Sequence, residues 1–169
     1  MIAVINSGPL IALAKLNELR VLPALYGTVI IPQAVYTEAV VVGLARGYQD
    51  AKLAQIFLKR MRWEPEPITE VPAALAAGMR LGSGEREAIA LAKQHQMLLL
   101  IDEAEARTLA EDMGITTAGT LGILVEAYHK GLFDAEAFTD LLSVIESRED
   151  IWIHTDLCQR VRSDVLGLK

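Results

Sequence analysis

Short apolar runs that stop abruptly at polar residues recur along this chain. Ile2 to Ile5 runs into Asn6-Ser7-Gly8-Pro9, Val29-Ile30-Ile31 into Pro32, and Met97 to Ile101 into Asp102-Glu103. Runs of this length, aliphatic at successive positions, suit strands covered on both faces of a parallel sheet. The stretches between them carry helical spacing. Pro32 opens a helix over Gln33 to Val42, and a second covers Leu44 to Arg62 with Leu53, Ile56, Phe57 and Met61 as its apolar stripe. Ser83 caps a third, in which Glu85 and Glu87 complement the positive dipole end and Ala88, Ile89, Leu91 and Ala92 form the apolar side. Further helices are expected over Ala104 to Met113, Leu121 to Lys130, Ala135 to Ile145 and from about Thr155. Ile115-Thr116-Thr117 and Ile151-Trp152-Ile153 read as short strands, with Trp152 packed on the sheet. The prolines between Trp63 and Pro72 make a loop or short edge strand that connects rather than divides.

Strands alternating with helices require right-handed crossovers. The predicted fold class is therefore α/β, three-layer α/β/α with a mainly parallel central sheet. Residues 1–169 are expected to form a single domain, a size that buries a substantial core without staples. Ligands of such sheets collect beyond the carboxyl ends of the strands.

Composition narrows the picture. Hydrophobic residues make up 52% and aromatics only 5%, which fits helices on a sheet better than an aromatic-rich barrel. The lone Cys158 has no disulfide partner, the start lacks a basic leader, and no apolar run is long enough to span a membrane. A cytoplasmic location and no membrane association are expected. A net charge of -6 argues against a general polyanion-binding surface, but not against acids that hold metal ions.

Polar groups fall directly after apolar strands at Asn6 with Ser7 and at Asp102 with Glu103. A strand-end carboxylate often does no more than cap the next helix. Glu38 borders the face made by Val35, Ala39 and Val42, although a glutamate on a helix is more often simply exposed. Glu85 has a bland role open to it as a dipole partner. His95, His129 and His154 form no zinc spacing, and Gly82-Ser83-Gly84 lacks the lysine of a phosphate loop. Lys59-Arg60-Met61-Arg62-Trp63 reads as a solvated helix end, with RNA contact as the sharper alternative.

Four ordered pieces resemble the PIN-domain superfamily, especially its poorly characterised branch close to VapC-like toxin ribonucleases. They are Val4-Ile5-Asn6-Ser7-Gly8-Pro9-Leu10-Ile11, Ile31-Pro32-Gln33-Ala34-Val35-Tyr36-Thr37-Glu38, Leu81 through Ala92, and Leu98-Leu99-Leu100-Ile101-Asp102-Glu103. Gly119-Thr120-Leu121-Gly122 adds a further match, so the resemblance spans Ile2 to about Leu132 and residues 133–169 complete the domain. The resemblance implies an endoribonuclease dependent on Mg²⁺ or Mn²⁺, with Asn6, Glu38, Glu85 and Asp102 as catalytic and metal-holding positions. Ser7 and Glu105 would support them. It also implies an RNA substrate, a toxin role restrained by a small antitoxin, and a homodimer.

The departure is Asn6, where the family pattern has aspartate. A carboxamide offers a metal one oxygen but no charge, and it cannot take a proton from water. A weakened homologue, an active variant relying on the remaining acids, and a chain deliberately disabled at this position all fit. From a different class, a non-catalytic binding or interaction module on the same fold is the main alternative. A flavodoxin-like nucleotide-binding domain is a third, disfavoured by the absence of a phosphate-cradling loop.

Overall fold

The computed structural model describes residues 2–76 and 80–167. They fall into two compact units, Met1–Thr120 and Leu121–Lys169. The first unit contains a five-stranded sheet built from β1 (Ile2–Ile5), β2 (Thr28–Pro32), β3 (Pro65–Glu66), β4 (Leu98–Leu100) and β5 (Thr117–Ala118). The strands run parallel in the order β3-β2-β1-β4-β5. This is the three-layer α/β/α architecture expected from the alternation of apolar runs and helices. Val4, opposite Leu99, packs into a core with Ile101, Ala88, Ile89, Leu91, Ala92, Ala106, Ala110 and Ile115. Ala3, Ile5 and Leu100, on the other side of the pleat, are equally buried, which explains why these strands are apolar at every position.

α1 (Ser7–Lys15) follows β1, and α2 (Val21–Tyr26) packs on β2. After β2 come α3 (Gln33–Tyr36), a wide π-helical turn over Thr37–Val42 and α4 (Gly43–Ala45). All three stay right-handed at their junctions, so they form one continuous helical run. α5 (Gln49–Met61) leads to the edge strand β3, and α6 (Ala73–Ala76) precedes α7 (Ser83–His95), which packs on β1, β2 and β4. α8 (Ala104–Asp112) lies between β4 and β5, and α9 (Thr120–His129) begins where the first unit ends. In the second unit α10 (Ala135–Ser147) packs on α11 (Thr155–Leu166), joined by an Arg162–Glu146 ion pair at 2.9 Å. Cys158 is buried there. Burial first and the charge of Glu146 second push its thiol pKa up.

The structure corrects several sequence expectations. The helix expected over 44–62 breaks at Gly47, whose φ of +76° suits glycine, and resumes at Gln49. Its buried face is Ala51, Ala54 and Leu58, while Leu53 and Ile56 are 42% and 54% exposed. α5 packs on α1 and on the π turn, and a Cβ at Gly43 would come within 2.6 Å of the Ala51 methyl, so close approach selects small residues. Gly82, not Ser83, is the N-cap of α7. Ile151 to Ile153 is not a strand, and Trp152 is 91% exposed instead of lying against the sheet. No helix among the described residues is long and apolar enough to cross a membrane.

The inverted face of α5 makes a direct prediction. Leu58→Ala should cost about 2 to 5 kcal/mol, whereas Leu53→Ser and Ile56→Ser should stay within about 0.5 kcal/mol of the parent. Urea denaturation of the three variants checks it, and equal losses at all three positions would refute the assignment.

Candidate active site

β1 and β4 are neighbours at the centre of the sheet, with chain connections leaving in opposite directions on either side of them. A crevice therefore opens beyond their carboxyl ends. Asn6 stands there, 1% exposed, its backbone N–H still in the ladder and donating to the Leu100 carbonyl at 2.8 Å. It is the N-cap of α1, yet its side chain makes no capping bond. Instead Nδ2 donates across the crevice to Glu103 Oε2 at 3.1 Å. That bond fixes the rotamer, since turning the carboxamide oxygen toward Glu103 would set two acceptors against each other. Oδ1 consequently points away from Glu103, buried and without a hydrogen-bond partner.

What that oxygen faces is set by a glycine. A Cβ at Gly84, in the first turn of α7, would lie 3.4 Å from Asn6 Oδ1 and 2.8 Å from Glu38 Oε2. The Glu38 carboxylate and the unpartnered oxygen therefore sit beside the same residue. A second glycine shapes the other side. A Cβ at Gly8 would lie 3.4 Å from both Asp102 Oδ2 and Glu103 Oε1. The first turn of α1, which has no acidic residue of its own, thus places its positive dipole end near these carboxylates.

Asp102 is held by Thr120, a fully buried residue at the start of α9. The Thr120 N–H donates to Oδ1 and its hydroxyl to Oδ2, both at 2.7 Å. Gly119 permits the approach, because a side chain there would collide with Arg107 and come within 2.9 Å of Asp102 Oδ1. Arg107 itself donates to the Ile101 carbonyl at 2.9 Å, one residue before Asp102. Glu103 is solvent-exposed as a residue, yet partial desolvation of its carboxyl raises the pKa first, against which its own backbone amide works. The charges of Glu85 and Asp102 raise it further, and the Asn6 bond lowers it again.

Among the positions singled out in the sequence, Asn6 and Glu38 meet at Gly84, and Asp102 lies beside Gly8. Glu85 is close enough for its charge to act on Glu103, but its Oε2 accepts the Gly82 N–H at 2.8 Å and closes the start of α7. Ser7 is buried in the first turn of α1, and Glu105 stands exposed in the first turn of α8. Sequence reasoning gave Glu103 no role beyond its place after a strand, although the tandem acid was its signal. It also missed Thr120 as the Asp102 clamp, and it read Glu87 as a dipole partner of its own helix. Glu87 in fact accepts the Ala34 N–H at 2.7 Å.

All the side-chain donors around the crevice are hard oxygens, the type that Mg²⁺ and Mn²⁺ take. Among the described residues no three His, Cys, Asp or Glu side chains stand close enough together to hold a metal. The buried Asn6 Oδ1, which has no hydrogen-bond partner and faces Gly84 as the Glu38 carboxylate does, adds a neutral hard oxygen to these acids. A cleft of about 750 Å³ lined by Ile2, Lys93, Met97, Leu98 and Thr116 lies at the opposite, amino edge of the sheet and shares none of these groups.

Strand order, crevice and oxygen-lined edge together define a parallel α/β domain with an acidic site at its topological switch point. A family model described as DUF3368: PIN domain matches residues 2–166, and the chain belongs to this PIN-domain family. No curated protein and no solved structure gave a match.

Two measurements test the site's energetics in the presence of chelator. Thr120→Val leaves the Asp102 carboxylate one donor short and should cost about 1 to 3 kcal/mol in denaturant unfolding. A raised folded-state pKa at Glu103 means that its contribution is complete below the ordinary value of 4.5 and is lost as pH rises through the higher folded value. Glu103→Gln, which keeps an acceptor for Asn6, should therefore flatten the fall in stability above pH 4.5. An unchanged slope would show that this carboxyl is not perturbed.

Proposed function

We propose that this protein is a divalent-metal-dependent ribonuclease of the PIN type, weakened by an amide at the innermost position of its site. The observation that carries the reading is the Asn6 Oδ1 atom, buried, unpartnered and facing Gly84, the same residue that the Glu38 carboxylate faces. Asn6, Glu38, Asp102 and Glu103 would have to draw closer together than they stand here to hold Mg²⁺ or Mn²⁺, with Glu85 adding charge and Ser7 and Glu105 at the margin. A bound ion of this kind neutralises a phosphodiester and lowers the pKa of an attacking water. The chain's own residues contribute position: Thr120 fixes Asp102, and the start of α1 steadies the acids. An amide in place of a carboxylate removes one negative charge from the donor set, so metal affinity falls. A small antitoxin that restrains the nuclease, a homodimer and a cytoplasmic setting belong to this reading by resemblance. The family match extends over both compact units, which supports taking residues 1–169 as one domain.

A second reading has its own observation. The Asn6–Glu103 bond gives the acid pair a partner without any metal, as suits a non-catalytic binding module that retains the fold.

The two readings diverge on Asn6→Asp. Replacing the N–H donor with an oxygen sets two carboxylates face to face, so the metal-free variant should lose about 1 to 3 kcal/mol. Mn²⁺ should restore that loss, raise the melting temperature of the variant more than that of the parent, and enable cleavage of a mixed RNA pool that Asp102→Ala abolishes. Absence of both Mn²⁺ stabilisation and cleavage in parent and variant would leave the binding module as the function.

A further inference from the structure

We infer that Glu87 is a positioning residue of this site, acting through the helical run that carries Glu38; the inference rests on the reading of the crevice as a metal centre. The run needs an external support at its start. α3 is four residues long, its N-cap is Pro32 with no side-chain acceptor, and its first turn has no acid. The amides that open a helix have no intrahelical acceptor. Ala34 finds its acceptor in Glu87 Oε2 at 2.7 Å, 53 positions away in sequence. A charged acceptor at that distance makes one of the stronger hydrogen bonds in a protein.

The spacing connects this bond to the site. Ala34 and Glu38 are four positions apart, hence on one face of the run, and Gly84 and Glu87 are three apart, hence on one face of α7. The two faces meet, with Glu87 on Ala34 and Gly84 against both Val35 and Glu38. Gly84 sets how closely the helices approach, and Glu87 sets where the run lies along α7. Glu38 falls inside the π turn, a rare helical geometry found frequently at functional sites. Pinning Ala34 fixes the helical run one turn before the carboxylate, and so holds Glu38 against Gly84, the residue that Asn6 Oδ1 also faces.

The test is a Mn²⁺ titration of the full-length chain and its Asn6→Asp variant, each also carrying Glu87→Ala or Glu87→Gln, with hydrogen exchange of the metal-free proteins alongside. Glu87→Ala should weaken Mn²⁺ binding about 10- to 100-fold, as loss of a residue supporting a ligand does. It should also speed amide exchange over residues 34–38 while the strands β1 and β4 keep their protection. Glu87→Gln retains an oxygen for the Ala34 N–H and should recover most of the affinity and most of the protection. A cap that is only structural would lower the melting temperature of Glu87→Ala and leave Mn²⁺ affinity unchanged, and that outcome overturns the inference, as does unaltered exchange over 34–38. Failure of both Asn6 forms to bind Mn²⁺ while carrying Glu87 would instead overturn the metal-centre reading and the inference with it.

Discussion

The carboxamide of Asn6 is the part on which the rest of this site depends. It sits at the end of the central strand with almost no access to solvent, so a polar atom left unmatched within the protein carries a cost. The nitrogen is matched by Glu103, and that single bond dictates which way the oxygen looks. Burial of an oxygen without a partner has a cost of about 1 to 3 kcal/mol. A fold tolerates such a cost most readily where the group serves something besides stability. The same atom therefore links the energetics of the strand end to the chemistry proposed for it.

Around that atom the structure is shaped as much by missing side chains as by present ones. Gly84 and Gly119 each sit where a methyl group would press on a site carboxylate, and one at Gly8 would just reach contact with two more. Their effect is to let two helix starts and the turn before α9 come within contact distance of carboxylates. α1 contributes its dipole, α7 contributes close approach to Glu38, and the turn brings Thr120 onto Asp102. Arg107, which shares the space at Gly119 with Asp102, donates to the carbonyl of Ile101 and holds the residue just before Asp102.

Much of this was legible in the sequence. Strands β1 and β4 announced themselves because both their faces are buried, which removes polar positions from the pattern and makes the stops at Asn6 and Asp102 conspicuous. The parallel sheet followed from alternation. Less legible was anything decided by close packing. The apolar stripe of α5 was assigned by the size of Leu53 and Ile56, whereas the tight contact with α1 and the π turn selects alanines. Trp152 was drawn into a strand by its neighbours, but only Ile151 is buried. α2 carries no clear boundary signal. The roles of Glu87 and Thr120 depend on partners 53 and 18 residues away, and no local pattern encodes a contact of that kind.

Strand order also has a consequence for how the protein comes into being on the ribosome. β1 is the first strand to emerge and ends up in the middle of the sheet, with β2 on one side and β4 on the other. The β2 side can be covered soon, but the β4 side stays open until Leu98 to Leu100 have been made. Until β4 is made the chain therefore holds an aliphatic strand with an exposed edge, the kind of surface that pairs with strangers. The Asn6–Glu103 bond, spanning 97 positions, closes only after that wait. The crevice is thus among the last features of the first unit to form, and a ribosome-bound fragment ending before β4 would carry the sticky strand without the site.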